Sequence, residues 1–169
     1  YLEGLTLKDY LARQGGQIPF PQALAILMPV MDALRAVHEV GLLHRDISPD
    51  NIFITRDRQV KLIDFGAARA ALGAHSRSLS VILKPGYAPP EQYGTQGRQG
   101  PWTDVYAVGA TLYQMLTGEM PPEAPDRLYQ DTLKPPTAYG ADLPQTAELA
   151  LFKALAVRVE QRFQSVADL

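Results

Sequence analysis

The sequence predicts a mainly α-helical fold with one small β-hairpin, on the strength of three patterns. Leu24, Leu27, Met28, Met31 and Leu34 recur at helical spacing. Val105 to Leu116 is almost wholly apolar, as a helix buried on every side would be. Ile52-Phe53-Ile54 and Val60-Lys61-Leu62-Ile63 are β-prone runs separated by the polar Thr55-Arg56-Asp57-Arg58-Gln59, the pattern of a short hairpin.

Taken in chain order, Thr6 followed three residues later by Asp9 reads as a capping box that opens a short helix, and Gly15-Gly16 would close it. The first apolar pattern predicts a long amphipathic helix from Gln22 to Val40, capped by Gly41. Pro29 removes one backbone donor within it, and because the periodicity continues beyond, a bend is expected there and not an end. After the hairpin, residues 67–101 are rich in Gly, Pro, Ser and Arg without periodicity, which predicts a long loop of the kind that usually carries function. The buried helix from Val105 should stop at Gly118 and Pro121-Pro122. Pro-rich joints then lead to a helix over Glu148 to Val157 and to the start of another at Ser165 to Leu169. There is no internal repeat and no low-complexity tract.

With 169 residues, 46% of them hydrophobic and 20% charged, the chain has the size of one domain with a real core. Sixteen basic against eighteen acidic side chains leave a net charge of -2, so nothing in the balance points to nucleic acid or an anionic membrane. Cysteine is absent, which excludes a disulfide framework and thiolate metal sites and fits a reducing cytoplasm. No uninterrupted apolar run reaches the roughly 18 residues of a membrane span, and Tyr1-Leu2-Glu3-Gly4 is no signal peptide, so a cytoplasmic segment without membrane contact is expected.

Chemistry concentrates in the middle of the chain. His44-Arg45-Asp46 is followed by Asn51, then by Asp64-Phe65-Gly66, and Pro89-Pro90-Glu91 closes the long loop. Asn51 or Asp64 alone would read as a turn-capping residue. Both flank the hairpin, however, which would bring its strand ends together and set two hard oxygen ligands side by side, as Mg²⁺ requires. This set closely resembles the catalytic motifs of protein kinases. The wording His-Arg-Asp-Ile-Ser-Pro-Asp-Asn and Leu-Ile-Asp-Phe-Gly-Ala-Ala-Arg is most similar to the bacterial Ser/Thr protein kinases.

The resemblance implies that residues 1–169 form the large C-terminal lobe of such a kinase, with the hairpin beside the catalytic loop, the hinge at Tyr1-Leu2-Glu3-Gly4 and the final helix cut short. It implies ATP and Mg²⁺ as cofactors, and a protein substrate and the chain's own absent N-lobe as partners. By matching position, Asp46 would orient the acceptor hydroxyl and take its proton, and Asn51 and Asp64 would hold the metal. Leu2, Asp50 and Phe53, with Asn51 and Asp64, would face the nucleotide. Arg45 would pair with a phosphorylated loop residue, Ser76, Ser78 or Ser80 being candidates. His44 would pack on Phe65 and bond the backbone, Asp104 with Gly109 would open the buried helix and hold the catalytic-loop amides, and Glu91 would pair with Arg162. His38 is expected to be a satisfied core histidine, and His75 carries no signal.

The pattern is broken in two places. A glycine-rich phosphate loop, a strand lysine and its helix glutamate are all missing, so the isolated chain is expected to be inactive. Where many Ser/Thr kinases carry Lys two positions after the catalytic Asp this chain has Ser48, while Lys84 stands three residues before Tyr87, where a Thr is usual. The expectation is that the cation has been relocated to Lys84. The competing readings are a pseudokinase or scaffold module, and a small-molecule kinase of the aminoglycoside phosphotransferase type. The Asp-Phe-Gly and Pro-Pro-Glu segments disfavour the second.

Overall fold

The computed structural model describes residues 3–65, 83–94 and 97–169. Leu2, Gly66, His75, Ser76, Ser78 and Ser80 therefore lie outside the described residues. Strand β1 (Gly4–Thr6) runs straight into helix α1 (Leu7–Arg13). Thr6 caps that helix as expected, its extended backbone letting the hydroxyl accept the Asp9 N–H at 3.1 Å. Gly15 and Gly16, at φ 83° and 94°, turn the chain away.

Helix α2 spans Phe20–Glu39 and passes through Pro29 without ending. Its C-terminus is a Schellman motif, in which Gly41 at φ 76° donates to His38 O at 2.9 Å and Leu42 donates to Val37 O at 3.1 Å. The buried stripe is Ala23, Ile26, Leu27, Val30 and Leu34. This corrects the expected face in part: Leu27 and Leu34 are buried and Met31 packs partly against the core, but Leu24 and Met28 are 36% and 49% exposed, because α2 carries more apolar residues than its partners cover and the packed line runs through Ile26 and Val30 instead. It also qualifies the membrane expectation, since α2 is 20 residues long and apolar enough on average to cross a bilayer. Its stripe is nevertheless packed in the protein core, while Asp32, Arg35 and Glu39 are exposed.

The hairpin forms as predicted from β2 (Ile52–Thr55) and β3 (Val60–Leu62), with Ile52 opposite Leu62 and Ile54 opposite Val60. β1 adds a third antiparallel strand on the other side of β2, pairing Leu5 with Ile54 and Thr6 with Phe53.

Helix α3 (Pro101–Thr117) is the centre of the molecule, with thirteen of its residues buried, and it ends at Gly118 with φ 75°. It packs between α2 and helix α5 (Gln145–Ala154). Gly109 permits the close crossing with the end of α5, since a Cβ there would lie 3.1 Å from Ala154 Cβ and 3.3 Å from Leu155 Cγ. A short helix α4 (Ala124–Tyr129) precedes α5. Two boundaries differ from expectation. α3 begins four residues early because Pro101 suits a first helical turn, and α5 starts after Pro144 and ends at Ala154, short of Val157. Ser165 to Leu169 makes turns and not a helix: so short a stretch can close at most one full helical bond, and it settles with Ser165 Oγ accepting the Asp168 N–H at 3.3 Å.

Candidate active site

The buried carboxylate of Asp104, in the first turn of α3, organises the loop that follows α2. Oδ2 accepts the His44 N–H at 2.9 Å and Oδ1 the Arg45 N–H at 2.8 Å, while His38 Nε2 lies 2.7 Å from Oδ2. A charge removed from water needs several such partners, and the N-terminal end of a helix adds favourable dipole potential. The bonds hold Arg45 at φ 68°, an uncommon conformation for a residue with a side chain, and Gln92 Nε2 secures its carbonyl at 3.0 Å. The Arg45 Nε is buried without a partner among the described residues.

His44 behaves as the resemblance implied. Its ring meets Phe65 edge-on at 4.7 Å, and Nε2 lies 3.1 Å from Ile63 O. Because Nδ1 accepts the Asp46 N–H at 3.3 Å, the neutral ring must carry its proton on Nε2 and donate to that carbonyl. Burial pushes the His44 pKa below the ordinary value of 6.5, against the opposing pull of Asp104, the Ile63 carbonyl, Asp46 and Asp64.

From this anchored backbone the chain presents Asp46. Asn51 Nδ2 donates to both the Asp46 carbonyl at 2.7 Å and its Oδ2 at 2.8 Å, so one amide fixes the carboxylate against its own backbone. Lys84 Nζ donates to Ser48 Oγ at 2.8 Å and lies 3.2 Å from Asp46 Oδ1. Ser48 is fully buried, whereas the Asp46 and Lys84 side chains are 27% and 30% exposed. Asp46, Ser48, Asn51 and Lys84 thus form one cluster. Asp64 is brought to it by the backbone, since Ile63 N–H donates to Asn51 O at 2.9 Å and Asp64 follows at φ 61° with its side chain at the surface.

Phe53 is half-buried on β2, facing β1, where a Cβ on Gly4 would lie 2.7 Å from its ring. Asp50 does not join the cluster: its half-exposed carboxylate pairs with Lys8 of α1 at 3.1 Å. The donor set fits a magnesium ion in kind, because the Asn51 Oδ1 is left over after Nδ2 is used and the Asp64 carboxylate is a hard ligand. Among the described residues no group of three or more His, Cys, Asp or Glu side chains could hold a metal, so substrate phosphate and water would have to complete the shell.

Two supports were not foreseen. His38 is mostly buried but only half satisfied, which corrects the expectation: Nε2 meets Asp104, 66 residues away, which no local pattern announces, while Nδ1 is buried without a partner among the described residues. Arg127 of α4 is buried and donates to Tyr106 Oη at 3.0 Å, Leu155 O at 2.8 Å and both oxygens of Asp131 at 2.9 Å. The spacing of Arg127 and Asp131 by four residues was the available signal. The Glu91–Arg162 pair forms as implied, at 2.7 and 3.3 Å.

The chain belongs to the protein kinase domain family, whose sequence profile matches residues 1–150. It is 44% identical over 121 residues to the serine/threonine-protein kinase PknL of Mycobacterium tuberculosis, a match covering 71% of this chain and 30% of PknL. It is 33% identical over 178 residues to the serine/threonine-protein kinase PknB of Mycolicibacterium smegmatis, covering all of this chain and 28% of PknB. Among solved structures, the apo form of PpkA-294 superimposes with a TM-score of 0.81 at 36% identity, covering 99% of this chain and 59% of that one. The Mycobacterium tuberculosis PknI kinase domain gives 0.74 at 27% identity, covering 99% and 60%. The chain therefore has a protein kinase fold, and it spans under a third of the length of these curated relatives.

Proposed function

We propose that this chain is the large C-terminal lobe of an ATP- and Mg²⁺-dependent protein kinase that phosphorylates Ser or Thr hydroxyls of proteins. The observation that carries the reading is the Asn51 amide bridging the Asp46 carbonyl and carboxylate, on a loop whose backbone is bonded to buried Asp104. A base that must meet a hydroxyl in one orientation is best held this way before substrate arrives. Asp46 orients the acceptor hydroxyl and takes its proton. Asn51 Oδ1 and Asp64 hold Mg²⁺, which when bound neutralises phosphate charge. Phe53 and Leu2 offer apolar contact to the adenine, and Asp50 borders the nucleotide beside Asn51. Arg45, whose buried Nε has no partner among the described residues, would offer its guanidinium to an anion such as a phosphorylated loop serine.

A protein substrate and the N-lobe of the same kinase are the partners of this reading, and its location is the cytoplasm. The reading is supported by relatives named serine/threonine-protein kinases. The phosphate-binding groups of an N-lobe are not among these residues, so the purified chain should transfer no phosphate from ATP to a protein while the full-length kinase does. ATP-dependent phosphorylation by the chain alone would overturn the lobe assignment, and an inactive full-length protein would favour a scaffold.

A further inference from the structure

We propose that Lys84 is a catalytic residue of this phosphoryl transfer, its ammonium contacting the phosphoryl group in flight, and that Ser48 is the hydroxyl that positions it. The proposal rests on the kinase reading above. In the transfer the acceptor oxygen forms a bond to the γ-phosphorus, the bond from that phosphorus to the β–γ bridging oxygen breaks, ADP departs with the electron pair, and the hydroxyl proton passes to the Asp46 carboxylate. Negative charge on the phosphoryl oxygens must be met on the acceptor side, where Asp46 is itself an anion. Lys84 Nζ stands there, 3.2 Å from Asp46 Oδ1.

Its backbone is fixed independently of that contact. Lys84-Pro85-Gly86-Tyr87 has the signature of a type II turn, with Pro at the second position, Gly at φ 81° in the third, and the Lys84 carbonyl accepting the Tyr87 and Ala88 N–H groups at 3.1 Å each. Tyr87 is buried, and its hydroxyl donates to Gln114 of α3, which ties the turn to the central helix. From this anchor the flexible stem delivers a compact cation whose second partner is Ser48 Oγ at 2.8 Å. Ser48 is fully buried, so its hydroxyl holds the ammonium in place at little entropic cost. With these two partners met by one nitrogen, a third donor of the ammonium is left for the transferring group.

A specific sign reversal follows. Lys at position 48 would bring a second ammonium to the same carboxylate, so Ser48→Lys should lower turnover while Lys84 is present and raise it when Lys84 is gone. A purely structural Lys84 would not produce that reversal. The test uses the full-length kinase with a peptide substrate, comparing wild type, Asp46→Asn, Lys84→Ala, Ser48→Lys and the double variant Ser48→Lys with Lys84→Ala. Lys84→Ala should lower kcat by about 10²-fold or more, the scale for losing one preorganised donor, and leave the KM for ATP unchanged. Calorimetry should show weakened binding of ADP–aluminium fluoride with peptide, a mimic of the group in flight, and unaltered binding of ADP alone. The double variant should recover part of kcat.

Should Lys84→Ala melt below the assay temperature, Lys84→Met keeps the apolar stem and takes its place. Wild-type turnover in Lys84→Ala alongside an inactive Asp46→Asn overturns the role of Lys84 and leaves the kinase reading standing. A wild type with no activity overturns the kinase reading itself and this proposal with it, whereas Asp46→Asn turning over like an active wild type overturns Asp46 as the base and, with it, the acceptor-side placement of Lys84 that this proposal assumes.

Discussion

Replacing Glu91 by Gln in the 169-residue chain removes one charge and almost no volume, and should cost far more than its size suggests. The Arg162 and Glu91 side chains are 0% and 6% exposed. Arg162 keeps its bonds to the carbonyls of Ala156 at 2.9 Å, Trp102 at 3.0 Å and Val157 at 3.4 Å, and its guanidinium still lies 4.9 Å from the centre of the Tyr106 ring. What it loses is the counter-charge that offsets its removal from water. Glu91 Oε1 also accepts the Thr103 hydroxyl at 3.1 Å, so the substitution disturbs the start of α3 as well. Breaking a buried pair costs about 3–5 kcal/mol, and the surviving carbonyl acceptors put this case near the lower end, about 3 kcal/mol. At about 2–4 °C per kcal/mol for a chain of this size, the midpoint of thermal unfolding by circular dichroism should fall by roughly 6–12 °C. A fall of less than about 2 °C would refute the reasoning and put the pair among surface bridges, worth about 0–1 kcal/mol.

Two further outcomes are expected. Because burial holds the folded His44 pKa below 6.5, the unfolded chain takes up this proton first, so the stability from the neutral ring is complete above pH 6.5 and is lost as pH falls below it toward the folded value. Denaturant unfolding of wild type and His44→Phe at a series of pH values should show that acid loss shallower in the variant, and parallel curves would contradict the assignment. Calorimetry of the chain with Mg²⁺ and no nucleotide should show only weak binding, because Asn51 and Asp64 supply two oxygens of an octahedral shell. Tight binding would mean further ligands than these.

Local chemistry made much of this fold legible. The Thr6 cap, the Gly41 Schellman turn and the Gly118 stop each depend on a residue type whose backbone preference is visible without a structure. The hairpin was legible from its polar interruption, whereas β1 was not, since a three-residue strand has no periodicity and exists only by pairing with β2. The α2 stripe was displaced because apolar residues on α2 exceed those its partner can cover, so Leu24 and Met28 satisfy the pattern without being buried. At the site, the resemblance to protein kinases singled out Asp46, Asn51, Asp64, Asp104, Glu91 and Arg162, and the structure forms the Glu91–Arg162 pair and the Asp104 bonds to the His44 and Arg45 amides. The Asp104–His38 contact and the Lys8 partner of Asp50 stayed hidden because they depend on how distant segments pack. Lys84 was found by a departure from a pattern, a lost cation at Ser48 and a new one further along the chain, and the two atoms lie 2.8 Å apart.

The central claim, that Asp46 is held by this fold as the base for an acceptor hydroxyl, is tested most directly by single-turnover phosphotransfer in the full-length kinase with Asp46→Asn. Asn keeps the shape and can still accept from Asn51, but it cannot take the hydroxyl proton. The account predicts a rate lower by about 10²–10⁴-fold with the affinity for ATP unchanged. A rate within error of wild type, at equal folding and equal nucleotide affinity, would contradict it.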